Sequence, residues 1–155
     1  MRYDGRETAP ALATRDMFSI DGTELGFLER WPAGLSVGVP GTVALYKAAH
    51  DRYGEVAWSS LFGAAVKLAT DGFVLTEKFV RYNERLAPVV LSGDFPKAAA
   101  YLFPDGISVA AGDRIRNPEY ARTLQRIANE GIDVYYRGDI ARDIVARVAL
   151  PPLAG

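Results

Sequence analysis

Five stretches of the chain repeat apolar residues at helical spacing, and each is bounded by residues that start or stop helices. The clearest begins at Asn117, a strong N-cap residue, continues with Pro118, which suits the first helical position, and stops at Gly131. We therefore predict five helices connected by short irregular segments. Their expected ranges are Thr42 to Gly54, Ser59 to Gly72, Thr76 to about Pro88, Asn117 to Gly131 and Asp139 to Val148.

Proline and glycine interrupt the remaining sequence too often for long elements. Residues 1–40 contain Asp-Gly at 4–5 and 21–22 and three prolines, which predicts irregular structure with a short strand or two. The region from Lys97 to Leu102 is predicted to be loose, without a regular element, and Pro151-Pro152 is expected to stop the last helix. The predicted fold is mainly α, with about five helices and little strand, in a single domain over residues 1–155.

Composition and charge exclude several classes of function. The 155 residues are 49% hydrophobic and 24% charged, as in soluble globular domains. Because 18 basic side chains balance 19 acidic ones, no overall field attracts nucleic acid or an anionic bilayer. Cysteine is absent, which excludes disulfides and thiolate nucleophiles. We expect no nucleic-acid partner, and we find neither a membrane segment nor a signal peptide in this chain.

Ser36 lies in a string, Gly34-Leu-Ser-Val-Gly38, that matches the G-x-S-x-G motif of hydrolase nucleophiles. That motif requires a helix directly after the serine, whereas Gly38, Pro40 and Gly41 crowd the following positions. We interpret the string as a turn. No glycine-rich phosphate-binding motif occurs either, so a nucleotide cofactor is not expected.

Other candidate sites have simpler structural interpretations. His50 is the one histidine, and with no cysteine beside it we expect a structural role and no metal site. Asp139 lies near Asp143 and is the first residue of a predicted helix, where its negative charge interacts favourably with the helix dipole. This position favours a structural role over acid–base catalysis. The arginines at 122, 126, 137, 142 and 147 fall on polar helix faces with acids, which is typical of a salt-bridged surface. We predict no catalytic residue from these patterns.

A longer set of motifs resembles the large subunit of the γ-glutamyltranspeptidases. The segment Tyr3-Asp-Gly-Arg-Glu-Thr-Ala-Pro10 is similar to the signature of that family. Further similar motifs follow in the family's order: Ser36 to Ala44, Tyr53-Gly54, Ala69 to Phe73, Gly112-Asp113, Asn117-Pro118, Thr123-Leu124, Ile127-Ala128 and Tyr136-Arg-Gly138. The ordered set covers nearly the whole chain.

The resemblance implies an N-terminal-nucleophile hydrolase of αββα architecture that cleaves its own precursor into a large and a small subunit. The new N-terminal Thr of the small subunit is the nucleophile and uses its own α-amine as base. It takes the γ-glutamyl group from a glutathione-like donor and passes it to an amino acid, a peptide or water, without a cofactor. Members of the family are often periplasmic or secreted.

None of the seven threonines here heads the processing sequence of a small subunit. We therefore expect residues 1–155 to be a middle part of the large subunit, dominated by its helical layer. Residues 1–40 would supply an irregular substrate-loop segment and residues 41–150 a helical segment. The expected partners are the small subunit with its Thr, a γ-glutamyl donor, and further copies of this chain through exposed apolar side chains.

Arg6 is the one site residue that the resemblance carries over. In the family, the arginine of this signature binds the α-carboxylate of the γ-glutamyl group. Arginine suits that role because its planar guanidinium offers a carboxylate two parallel hydrogen bonds. The alternative is an ordinary loop arginine paired with Asp4 or Glu7.

Two other functions stay open on the sequence. A cephalosporin-acylase-like enzyme shares this fold and processing but accepts a glutaryl side chain, whose carboxylate would also suit Arg6. A helical interaction domain that has lost its catalytic half belongs to a different class. A downstream Thr-initiated subunit in the reading frame would exclude that last possibility.

Overall fold

A computed structural model describes residues 2–149, apart from the side chain of Leu28. Its α-helices are α1 Phe27–Arg30, α2 Thr42–Tyr53, α3 Gly63–Asp71, α4 Glu77–Val90, α5 Pro96–Leu102, α6 Pro118–Glu130, α7 Asp133–Tyr136 and α8 Asp139–Val148. Its strands are β1 Ser19–Ile20, β2 Thr23–Glu24, β3 Phe73–Val74 and β4 Arg114–Ile115. The expected mainly helical fold with little strand is confirmed. None of the helices in residues 2–149 has the length and apolar character needed to cross a bilayer.

The five predicted helices are present, and α6 and α4 begin with the expected side-chain caps. The Asn117 side chain accepts a hydrogen bond from Tyr120 N at 2.9 Å, which caps α6, and Gly131 ends it with a φ of +83°. Thr76 caps α4 in the same way through Phe79 N at 3.3 Å. The second predicted helix begins as a 3₁₀ turn, Trp58–Phe62, before α3. Pro151-Pro152, the expected stop of α8, lies outside the described residues.

Two local predictions were wrong. The region from Lys97 to Leu102 is not loose, because Pro96 occupies the first position of α5 and alanines follow it. Pro88 does not end α4, which continues to Val90. The last turn closes through Leu91 N to Ala87 O at 2.9 Å, and Val90 is buried, so packing offsets the hydrogen bond that Pro88 cannot donate.

The described residues form two compact units. The first comprises residues 2–63 and 123–149, and the second comprises Ala64–Arg122. In the second unit, β3 pairs antiparallel with β4, with Phe73 opposite Ile115. Buried side chains of this unit include Ala69, Leu75, Val90, Phe103, Ile115 and Ala121.

The first unit contains the N-terminal segment and helices α1, α2, α7 and α8. β1 pairs antiparallel with β2, with Ser19 opposite Glu24. Among its described residues, the buried hydrophobic side chains are Ala33, Ile127 and Val134. The Trp58 indole donates to Ile127 O at 3.1 Å, which joins the 3₁₀ turn to the second half of α6.

Candidate functional site

The signature loop, residues 3–10, lies along a facing segment, residues 38–42, that leads into α2. Thr8 and Val39 form an antiparallel bridge, with Val39 N donating to Thr8 O at 2.9 Å and Thr8 N donating to Val39 O at 3.4 Å. The Thr42 hydroxyl donates to Gly5 O at 3.3 Å. Bonds on both sides of Arg6 therefore fix its main chain.

Glycines let the two segments approach each other closely. A Cβ placed on Gly41 would lie 2.8 Å from Gly5 O and 3.0 Å from Arg6 O. One placed on Gly38 would lie 2.7 Å from Glu7 Cβ. Neither glycine has a positive φ, so here glycine is required for space and not for backbone conformation.

The start of the signature loop also packs on the end of α2. The Tyr3 ring meets the Tyr53 ring edge to face, with centroids 6.3 Å apart. Desolvation raises the pKa of the Tyr3 phenol, and neighbouring Tyr53 raises it further. The loop is therefore held at Tyr3, Gly5 and Thr8, on both sides of Arg6.

The Arg6 side chain projects into solvent and is 85% exposed. Its Nε lies 3.0 Å from Glu7 Oε2, and its backbone N–H donates to Asp4 Oδ1 at 3.1 Å. The shortest contact with Glu7 is made through Nε, and most of the surface of the Arg6 side chain faces solvent. The outer edge of the guanidinium is thus available to an anion.

A cleft of about 330 Å³ lies between the signature loop and the facing segment. Gly5 and Glu7 line it from the loop, and Thr42 lines it from the first turn of α2. The remaining lining residues are Ser36, Val37, Gly38, Pro40 and Gly41. The residues on either side of Arg6 therefore border a cleft large enough for a small polar group.

Tyr136 joins this site from α7. Its hydroxyl donates to Pro40 O at 2.8 Å and accepts from Ala44 N at 3.0 Å. Because the N-cap of α2 is Gly41, which has no side chain, the phenol satisfies a donor that an N-cap side chain normally takes. Sequence reasoning missed this contact, although Tyr136 belongs to one of the motifs that carried the resemblance.

Ser36 and His50 both make contacts with neighbouring parts of the chain. Ser36 ends a 3₁₀ turn, its hydroxyl donates to Arg30 O, and no helix starts before Thr42. His50 Nε2 lies 2.8 Å from Val56 O, and its ring packs edge-on against Trp58. Among the described residues, no three His, Cys, Asp or Glu side chains cluster as metal ligands would.

Asp139 belongs to an ion-pair cluster at the start of α8. Arg126 Nη1 and Nη2 bind Asp139 Oδ2 and Oδ1 at 2.5 and 2.8 Å, and Arg126 Nε binds Glu130 Oε1 at 2.9 Å. The Arg126 hydrogen bonds lower the pKa of Asp139 to about 2, against an opposing desolvation effect. A carboxylate that stays ionised at neutral pH in this way is typical of a salt bridge and not of a general acid.

Comparisons with known proteins match this arrangement to one family. Residues 1–151 match the family model described as Gamma-glutamyltranspeptidase. The chain is 32% identical over 146 residues to glutathione hydrolase 3 of Arabidopsis thaliana, covering 94% of this chain and 22% of the relative. The chain therefore spans about a fifth of that relative's length.

Solved structures agree with the sequence comparison. The γ-glutamyltranspeptidase of Helicobacter pylori superposes with a TM-score of 0.84 at 30% identity, over 93% of this chain and 41% of that one. A cephalosporin acylase of Bacillus halodurans shares the fold, with a TM-score of 0.65 at 24% identity over 74% of this chain and 22% of the acylase chain. Both the family model and the structural similarity extend over nearly the whole chain, so it belongs to the γ-glutamyltranspeptidase family.

Proposed function

We propose that this chain is a middle part of the large subunit of a γ-glutamyltransferase/hydrolase. In that enzyme the small subunit supplies an N-terminal Thr, whose hydroxyl attacks the γ-glutamyl amide of a glutathione-like donor. The amine leaves, the glutamyl group stays on the Thr as an ester, and an amino acid, a peptide or water then accepts it. Residues 1–155 form one domain in this proposal, with residues 1–40 contributing the substrate loop.

Arg6 binds the donor's α-carboxylate in this proposal. The observation that carries it is an exposed guanidinium, paired with Glu7 through Nε, on a main chain fixed by Gly5, Thr8 and the facing segment. A carboxylate approaching the Nη edge gains two charge-assisted hydrogen bonds while Nε keeps its contact with Glu7. Because the main chain of the loop is already fixed, donor binding has to order the side chain of Arg6 but not the loop.

Substitution of Arg6 in the full-length, processed protein tests the assignment. Each lost hydrogen bond to a charged group costs about 1.5–3 kcal/mol, so Arg6→Ala should lower donor kcat/KM by roughly 10–150-fold for one bond and by more for two. The loss should appear mainly as a higher donor KM, because the carboxylate is bound in both ground and transition states. Arg6→Lys should retain part of the binding because it keeps the charge.

Arg2→Ala is the matched control, since Arg2 is also exposed and pairs with Asp4 at 3.6 Å. It removes one positive charge from the same segment and should leave the donor KM unchanged. An Arg6→Ala enzyme whose donor kcat/KM stays within about threefold of the wild type would contradict the assignment. Residues 1–155 alone should release no glutamate from a γ-glutamyl anilide, because the nucleophile belongs to the small subunit.

Because a cephalosporin acylase shares this fold, a glutaryl-cephalosporin is the second substrate to test. A glutaryl-cephalosporin offers a carboxylate but lacks the α-amine of a glutamyl donor. The full-length protein should cleave the γ-glutamyl anilide in preference to the glutaryl-cephalosporin. The opposite preference would favour the acylase alternative, and cleavage of neither by a correctly processed protein would contradict both.

A further inference from the structure

We propose that Tyr136 is a positioning residue for Arg6. Its hydroxyl fixes the facing segment, and the facing segment fixes the main chain of the signature loop on which Arg6 is carried. The inference rests on the proposed role of Arg6 in donor binding.

The Tyr136 hydroxyl occupies a position with two polar partners. It donates to Pro40 O and accepts from Ala44 N, and both bonds lie in a part-buried environment. Without the hydroxyl, the first turn of α2 would keep a donor, Ala44 N, that Gly41 has no side chain to satisfy. An unsatisfied, partly buried donor is costly, so the turn would shift to reach water.

A shift of the facing segment is transmitted to Arg6 because the contact between the two segments has no spare space. Gly41 lies against the carbonyl oxygens of Gly5 and Arg6, and Val39 is hydrogen-bonded to Thr8. Thr42, the first residue of α2, donates directly to Gly5 O. Displacing residues 38–42 therefore moves the main chain on both sides of Arg6.

Binding of a carboxylate through two parallel bonds is sensitive to such a movement. Productive geometry in binding sites is maintained within about 0.5 Å by the residues that surround the contact. The aromatic ring of Tyr136 also lines an apolar groove of about 320 Å³ with Ile144, Val145 and Val148 of α8. Tyr136→Phe keeps that ring in the groove and removes the hydroxyl alone.

The test measures donor kinetics of Tyr136→Phe in the full-length, processed protein. Loss of the hydroxyl should raise the donor KM about three- to tenfold while kcat changes less than about twofold. Tyr46→Phe is the control, since Tyr46 lies exposed on α2 and none of the described residues hydrogen-bonds its hydroxyl. It should leave the donor KM unchanged.

A double variant separates positioning from a general loss of structure. If Tyr136 acts through Arg6, then adding Tyr136→Phe to Arg6→Ala should raise the donor KM no further. The proposal would be overturned if Tyr136→Phe raised the donor KM by the same factor in the Arg6→Ala enzyme as in the wild type. It would also be overturned if Tyr136→Phe alone left the donor KM unchanged. A failure of the Arg6 assignment would appear separately, in Arg6→Ala by itself.

Amide hydrogen exchange adds a measurement that does not depend on activity. In Tyr136→Phe, the Ala44 amide should exchange faster because its acceptor is gone, and the Val39 amide should follow because its bond to Thr8 loosens. Amides of α4, in the other compact unit, serve as the internal reference. Faster exchange at Ala44 without any change at Val39 would overturn the transmission from the facing segment to the signature loop.

Discussion

A single glycine sets the distance between the signature loop and α2. Gly41→Ala would place a methyl group 2.8 Å from Gly5 O and 3.0 Å from Arg6 O, although the Gly41 backbone conformation is open to alanine. Overpacking of this kind typically costs about 1–3 kcal/mol. We expect Gly41→Ala to raise the donor KM of the full-length enzyme at least about fivefold, measured by steady-state kinetics.

Gly63→Ala is the control for that substitution. Gly63 opens α3, and a Cβ there would meet no atom within 4 Å. Because alanine favours helix over glycine by up to about 1 kcal/mol, this variant should unfold at an equal or higher urea concentration with an unchanged donor KM. Equal donor KM values for the two variants would show that space at Gly41 does not matter.

At the scale of single residues, the candidate site could be predicted from the sequence only in part. Arg6 could be proposed from the sequence because its neighbours form a recognisable motif, and its role stays a prediction. Tyr136 was missed because its partners, Ala44 and Pro40, lie 92 and 96 positions away, and no local pattern indicates a hydrogen bond over that distance. Gly38 was interpreted as part of a turn, whereas the main requirement for glycine at both 38 and 41 comes from the segment packed against them.

At the scale of the element, helices with local end signals were predicted well. α6 and α8 begin within a residue of their expected starts because Asn117 and Asp139 act on the backbone beside them. α5 was missed because its seven residues are too short to display a helical period. α4 runs past Pro88 because burial of Val90, a tertiary effect, outweighs a local stop signal.

The ion-pair cluster at the start of α8 should make the stability of the fold depend on pH, and the direction of that dependence can be derived. Arg126 lowers the pKa of Asp139 from 3.8 to about 2, so the folded state binds this proton less readily than the unfolded chain. The contribution to stability is fully present above about pH 4 and is lost as the pH falls towards 2. Carboxyl NMR should find Asp139 titrating near 2, and Arg126→Gln should return it towards 3.8.

Acid unfolding provides the corresponding stability measurement. Asp139→Asn should flatten the fall in stability between about pH 4 and 2, because no proton is then taken up at this position on unfolding. Asp143→Asn, on the same helix, is the control, since the described residues give Asp143 no ion pair. If Asp139 titrated at its ordinary pKa in the protein with Arg126 intact, the proposed ion pair between Asp139 and Arg126 would be contradicted.

Across the whole molecule, burial of apolar side chains is sparse. Within residues 2–149 no large side chain is completely buried, while Phe27 is 63% exposed and Val145 62% exposed. Further exposed apolar side chains include Trp31, Tyr46, Tyr53, Leu61, Leu68, Tyr82 and Tyr120. Exposed apolar patches of more than a few hundred Å² are typical of surfaces that another chain or segment covers.

We expect residues 1–155, produced alone, to associate into dimers or larger species, measured by light scattering over a range of concentrations. Val145→Asp places a charge in the apolar groove beside Tyr136 and should shift the distribution towards monomer. Ala146→Asp adds the same charge to the adjacent exposed position outside the groove lining and should shift it less. A monodisperse monomer of the unmodified chain at high concentration would contradict the expectation.

The 96-residue separation between Tyr136 and Pro40 has a consequence for the order of events during synthesis. Pro40 leaves the ribosome well before Tyr136, and at about 5–20 residues per second the delay is roughly 5–20 s. Over that interval α2 can form, but its first turn lacks the phenol that completes it. We therefore expect the signature loop to be translated before Tyr136 and to reach its final position only after α7 has folded back onto the start of α2.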